Sequence, residues 1–246
     1  MLKKRIIIAL TFLDGVLFRT KKFIPDYRYT KNFVGLWSID EIILIDISKK
    51  KFSKSFKEII NHFSKNCFVP ISVGGGISKV EHADDYFKNG ADKIILGSKI
   101  IIDKEIISKI SLKYGNQSII QSIDIKKNES LEYNLAINSG KELTKINPEN
   151  AIKTALENGA GEILINNIDF DGSLLGYDLK IIKNLTKKFN CQFLALGGAG
   201  SWGHISSLFN ETETSAACTQ NIFHFTDESI SSAKKYLNER NILIRL

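Results

Sequence analysis

Asp40-Glu-Ile-Ile-Leu-Ile-Asp46 and Gly161-Glu-Ile-Leu-Ile-Asn166 decide the fold. Each is a short apolar, β-branched run of the kind that forms a buried strand. The two are near copies, with Glu162 following Glu41 by 121 residues. Farther along, Val73-Gly-Gly-Gly-Ile77 and Leu196-Gly-Gly-Ala-Gly200 echo each other, with Gly197 following Gly74 by 123 residues. Similar spacings for two unrelated motifs indicate duplication of a four-unit half.

Six more runs join these two, so strands are expected at Arg5 to Leu10, Glu41 to Ile47, Phe68 to Val73, Asp92 to Leu96, Ser118 to Asp124, Glu162 to Asn167, Gln192 to Leu196 and Ser215 to Thr219. Between them lie segments with helical apolar spacing, among them Ser55 to Phe63, Glu105 to Leu112, Glu149 to Leu156 and Ser229 to Leu237. Eight strand and helix units in a chain of about 250 residues suit a (β/α)8 TIM barrel made of two similar half-barrels. The expectation is one barrel domain over residues 1–246. A doubly wound open sheet alternates in the same way and is the rival.

The composition, 43% hydrophobic and 25% charged, is that of an ordinary globular chain able to bury a full core. No apolar stretch reaches the roughly 20 residues of a membrane-spanning helix, and the apolar run near the start meets Asp14 without a cleavage site, so the expected location is cytoplasmic. Cys67, Cys191 and Cys218 are odd in number and lack Cys-x-x-Cys spacing, which argues against a disulfide framework or a zinc site. The net charge of +7 comes from interspersed lysines rather than a basic block, favouring small anions or plain surface lysines over nucleic acid. The four histidines at 62, 82, 204 and 224 have no ligand spacing and read as surface or packing residues. Neither a metal nor a cofactor is called for: Gly198 to Gly203 fits a dinucleotide fingerprint only loosely, and its place after strand seven is wrong for one.

Asp124 is the candidate catalytic group, because a carboxylate ending an apolar strand is costly to bury unless chemistry uses it. The half-repeat sets Leu10-Thr11 against Ile123-Asp124, so Thr11 stands where a second carboxylate is expected. Glycine clusters after the strands expose backbone N–H groups to an anion. One expected phosphate site joins Gly75 and Gly76 to Gly97 and Ser98; the other joins Asp171, Gly172 and Ser173 to Gly198, Ala199 and Gly200, with Gln220 and Asn221. A single such cluster reads equally as a tight turn, whereas two in register favour anion binding. At the strand starts, Arg5, Glu41, Lys93 and Glu162 are either solvated edge charges or a closed ionic ring across one barrel mouth.

Together with Lys4-Arg-Ile, Asp14-Gly15, Gly90-Ala-Asp-Lys93, Ser122-Ile-Asp124, Gly159-Ala-Gly-Glu-Ile163, Ile168-Asp-Phe-Asp-Gly172, Gly176-Tyr-Asp178 and Phe223-His-Phe225, these motifs run almost end to end. The series resembles the cyclase subunit of imidazole glycerol phosphate synthase. The resemblance implies a glutaminase subunit docked at the strand-start face, an ammonia gate formed by Arg5, Glu41, Lys93 and Glu162, and a small bisphosphorylated substrate at the opposite face. It makes Asp124 one general acid/base and places Thr11 at the position of the family's other catalytic aspartate. It also sets Arg19 in place of a loop lysine, Asn166 in place of a threonine and Leu196 in place of a small polar residue. With the gate complete and the chemical face altered, the pattern also resembles a branch that supplies ammonia for amidating a surface-polysaccharide sugar. A phosphate-binding scaffold that activates its glutaminase is the non-catalytic alternative.

Overall fold

The computed structural model describes residues 3–29, 39–220 and 230–245. Asn221, the Phe223-His224-Phe225 triplet and the segment from Thr30 to Phe33 lie outside the described residues.

Strands run at Arg5–Leu13 (β1), Val16–Lys21 (β2), Ile24–Tyr29 (β3), Glu41–Asp46 (β4), Ile71–Gly74 (β5), Lys93–Leu96 (β6), Ile119–Lys127 (β7), Tyr133–Ile137 (β8), Glu142–Leu143 (β9), Glu162–Asn167 (β10), Gln192–Leu196 (β11) and Ala216–Thr219 (β12). Helices run at Lys54–Asn66 (α1), Val80–Lys88 (α2), Glu105–Tyr114 (α3), Pro148–Glu157 (α4), Leu179–Lys188 (α5), Trp202–Glu211 (α6) and Ile230–Asn238 (α7). Eight strands pair in parallel in the order β10, β11, β12, β1, β4, β5, β6, β7, and β7 then pairs with β10, closing the sheet. Closure rules out the open doubly wound alternative and establishes the (β/α)8 barrel.

Alternation along each strand divides the core in two. Outward residues such as Ile6, Ile8, Leu10, Ile42 and Leu44 pack under the helices, whose buried stripes follow helical spacing, as in Phe56, Ile59, Ile60 and Phe63 of α1. Inward residues form a separate apolar plug of Ile7, Ala9, Ile43, Ile95, Ile120, Leu164, Leu194, Ala216 and Cys218. Side chains cap several helix starts: Ser53 accepts from Phe56 N at 3.3 Å, and Asn147, ahead of Pro148, accepts from Asn150 N at 2.8 Å.

Three strand limits differ by three residues from the sequence reading. β5 starts at Ile71 rather than Phe68, because Pro70 has no N–H to give a ladder and Phe68 is fully exposed. β1 and β7 each run past the barrel rim to pair antiparallel with the hairpin strands β2 and β8. These hairpins follow the first strand of each half, so the duplication extends beyond the barrel wall. At the strand-start end the C-terminal segment is tied down: Lys4 N donates to Leu243 O at 2.7 Å, and the buried Lys234 ammonium meets Asp40 at 2.8 Å.

Candidate functional site

The first inward layer at the strand starts is ionic. Arg5 Nη1 lies 2.7 Å from Glu41 Oε1 and 3.2 Å from Glu162 Oε1, while Lys93 Nζ lies 3.4 Å from Glu41 Oε2 and 3.0 Å from Glu162 Oε1. Every member touches both opposite charges, so the four residues form the closed ring and not edge decoration. Glu41 is 3% exposed, and dehydrating such a group is offset only while both cations hold it. Arg5 Nη2 and Glu162 Oε2 are buried without a protein partner, which leaves hydrogen-bonding capacity on the ring.

At the other end of the plug lies Asp124. It points inward by alternation with Ile120 and Ser122, opposite Asn166 of β10. Ser122 Oγ and Asn166 Nδ2 reach Oδ1 at 2.8 and 3.3 Å, and Ser98 Oγ lies 2.8 Å from Oδ2. Burial pushes the carboxyl above its ordinary range, and these three donors oppose that rise. A half-buried acid held in this way suits proton transfer. Thr11 lies on the same inward face of β1 as Arg5, Ile7 and Ala9 and is also buried, but supplies only a hydroxyl.

The glycine loops flank this carboxylate. Tyr86 Oη donates to Gly75 O at 2.8 Å, and Gly176 N donates to Gly198 O at 2.8 Å. Because a trans peptide directs C=O and N–H oppositely, these bonds turn the N–H groups of Gly76 and Ala199 away from the partners that hold the carbonyls. Gly198, at φ +101°, has no room for a side chain, since a Cβ would collide with the Gly176 carbonyl. Ser98 spends its hydroxyl on Asp124 and also accepts from Asp124 N at 2.7 Å, so it joins the first loop to the carboxylate. Gly97 is exposed, with open space around it. Ser173 Oγ accepts from Leu175 N at 3.2 Å.

Asp171 behaves differently from its neighbours. Its Oδ2 accepts from Phe23 N at 3.0 Å, and its backbone carbonyl accepts from Lys22 N at 3.2 Å, so it anchors the tip of the β2–β3 hairpin. Burial raises its carboxyl, which is oriented toward that tip. Gln220 also serves the hairpin, through a 2.5 Å bond from Nε2 to Phe18 O. Arg19 forms an ion pair with Asp26 across the hairpin.

The histidine biosynthesis protein profile matches residues 12–229. The chain belongs to the histidine biosynthesis protein family. It is 36% identical over 256 residues to the imidazole glycerol phosphate synthase subunit HisF of Chlorobium phaeobacteroides (strain BS1), covering 100% of both chains. The subunits of the same name from Chlorobaculum tepidum and Prosthecochloris aestuarii are 36% and 37% identical over 257 and 253 residues, again covering 100% of both chains.

In this family member, sequence reasoning missed three side chains at the glycine loops. His82 Nδ1 accepts from Ser78 N at 3.3 Å, and His204 Nδ1 accepts from Gly200 N at 3.1 Å. Lys51 folds its stem against Gly76 and donates to Asp46 O at 2.6 Å. The histidines were legible in hindsight, since 122 residues separate both His82 from His204 and Ser78 from Gly200. Lys51 sits in a lysine-rich loop with no periodic signal. Among the described residues no helix is long and apolar enough to cross a membrane, and no group of three or more His, Cys, Asp or Glu is placed to hold a metal ion.

Proposed function

We propose that this chain is the cyclase-type subunit of a glutamine amidotransferase, acting as the HisF subunits of imidazole glycerol phosphate synthase are named to act. In this reading a glutaminase subunit docks on the strand-start face in the cytoplasm and releases ammonia at the Arg5, Glu41, Lys93, Glu162 ring. Ammonia then passes the apolar plug and reaches a phosphorylated ribosyl-aminoimidazole intermediate near Asp124. Asp124 shuttles protons during addition and ring closure, giving imidazole glycerol phosphate and the aminoimidazole carboxamide ribotide. The phosphates of the intermediate lie on the loops at Gly75, Gly76, Gly97 and Ser98 and at Gly172, Ser173, Gly198, Ala199 and Gly200.

The observation that carries this reading is the placement of a closed ionic ring and a donor-surrounded, half-buried carboxylate at opposite ends of one barrel interior. Purified chain given ammonium salt and the intermediate should form imidazole glycerol phosphate, and Asp124→Asn should abolish that turnover.

Thr11 favours a second reading, ammonia supply to a separate sugar-amidating enzyme, because a hydroxyl does not exchange protons near neutral pH as a carboxylate does. That role requires the ring and the docking face but not two acids. It is the reading to adopt if the intermediate is not turned over while the reconstituted pair still hydrolyses glutamine.

A further inference from the structure

Asn166 carries an amide that only half serves Asp124. Its Nδ2 is the group facing the carboxylate, at 3.3 Å, because an ionised carboxylate accepts and never donates. Its Oδ1 is therefore turned elsewhere, buried and without a protein partner. An unmade bond from a buried amide oxygen is costly, typically about 1–3 kcal/mol, so the position favours a ligand that carries a donor.

Position on β10 restricts what that ligand is. Glu162, Leu164 and Asn166 alternate inward on one strand, so the ring carboxylate and the amide share the barrel interior about 13 Å apart at the usual strand rise. Between these two levels the wall is mostly apolar, formed by residues such as Ile43, Ile95, Ile120 and Leu164. Two polar side chains interrupt it: Ser122, opposite Leu164, gives its hydroxyl to Asp124, while Ser72, inward by its register with Ile43 and Lys93, is fully buried, and its Oγ has no protein partner. A molecule small enough for this interior, rich in N–H donors and short of charge, meets Asn166 as it reaches Asp124. Ammonia has three donors and one lone pair.

We infer that Asn166 is an ammonia-positioning residue: its Oδ1 and Asp124 Oδ2 accept two N–H bonds of the incoming molecule and leave the nitrogen lone pair facing the pocket above. Asp124 Oδ2 accepts one bond from the Ser98 hydroxyl and has room for a second, as a carboxylate oxygen accepts two. The inference rests on the ammonia-transfer reading and adds to it the atom that orients the nucleophile. A threonine here would offer one short hydroxyl, whereas the asparagine offers a donor to the acid and an acceptor to the nucleophile at once.

The test compares wild type with Asn166→Leu, Asn166→Gln and Ser122→Ala. Turnover is measured at pH 8.5 with ammonium chloride varied at saturating intermediate, and then with the intermediate varied. Asn166→Leu should raise the KM for ammonia about tenfold, the worth of one good hydrogen bond, and leave the KM for the intermediate within about twofold. Asn166→Gln should recover part of the loss. Ser122→Ala strips a donor from the same carboxylate but keeps the amide oxygen, and should change the ammonia KM by less than about threefold. A rise confined to the intermediate's KM, or an equal rise in Ser122→Ala, overturns the assignment.

A readout free of chemistry separates this inference from the cyclase reading. In protein labelled with 13C-aspartate, with the Asp124 resonance assigned through Asp124→Asn, ammonium chloride should shift that resonance saturably relative to potassium chloride. The shift should be lost in Asn166→Leu. Such a shift without turnover retains the ammonia site and rejects cyclisation; no ammonium-specific shift in wild type rejects the site itself.

Discussion

The Nδ1 of His204 accepts the backbone N–H of Gly200 at 3.1 Å, from the third position of α6 back to the glycine loop that precedes it. His82 does the same for Ser78 from the third position of α2. That place in a helix usually holds the Glu or Gln of a capping box. Here a ring nitrogen does the capping and puts no negative charge at a helix N-terminus beside the proposed phosphate site. His204→Gln should therefore keep both the fold and phosphate affinity. His204→Glu should keep the melting temperature within about 3 °C and weaken inorganic phosphate binding about tenfold at low salt, as read by calorimetry. Equal affinity in the two variants would remove charge from the explanation.

Arg5 reaches both glutamates of the ring, and Lys93 by itself does not satisfy them. Arg5→Ala should cost about 3–5 kcal/mol, the usual penalty for stripping a buried ion pair of one partner, and is checked by urea unfolding. Arg5→Ala combined with Glu41→Gln should recover part of that loss, because one stranded carboxylate is then neutral. No recovery in the double variant would mean that packing, rather than charge, sets the penalty.

Burial raises the Asp124 carboxyl above its unfolded value, so between those two values the folded chain binds the extra proton. Stability from this group therefore falls as pH rises through that window, and the penalty persists at higher pH. Asp124→Asn should be as stable as wild type or more so at pH 8, with the gap closing as the solution is acidified toward about 4, the unfolded carboxylate range. Chemical denaturation of both proteins at several pH values checks the sign. A gap that widens on acidification would mean that the donors around Asp124 outweigh its burial.

Thr11 and Asp124 end inward runs of β1 and β7, the strands that open the two halves. Thr11→Asp should raise cyclase turnover at least about tenfold if a second proton-transfer group is what the site lacks, since positioned acids and bases typically contribute 10²–10⁴-fold. It should also lower stability by roughly 1–3 kcal/mol through burial of a charge. Turnover that stays flat in a folded variant shifts the limitation to Leu196, whose apolar side chain sits beside Asn166 in register.

The barrel and its ring were readable because strand starts, glycine turns and the repeat are local patterns. β10 and β11 begin and end where the apolar runs do. The hairpins were not readable. β2 and β8 mix polar and apolar residues, and their pairing is set by the extension of β1 and β7 above the rim. Asp171 was legible as a loop acid but not as the hairpin's anchor, because its partner Phe23 lies 148 residues earlier. Ligand spacing does not reveal His82 and His204, because they act through a backbone N–H four residues before each of them.

By itself the amino-acid order determined eight buried strands, their parallel wiring through helices, and a doubled pattern with a carboxylate in one half and a hydroxyl in the other. Those properties follow from side-chain period and local turn chemistry, which act over a few residues. Tertiary structure decided which groups share a space: that Arg5, Glu41, Lys93 and Glu162 close into a ring, and that Asn166 turns one end of its amide to Asp124 and leaves the other buried without a protein partner. Closing a cylinder brings together residues more than a hundred positions apart, and burial then fixes which hydrogen bonds each must find.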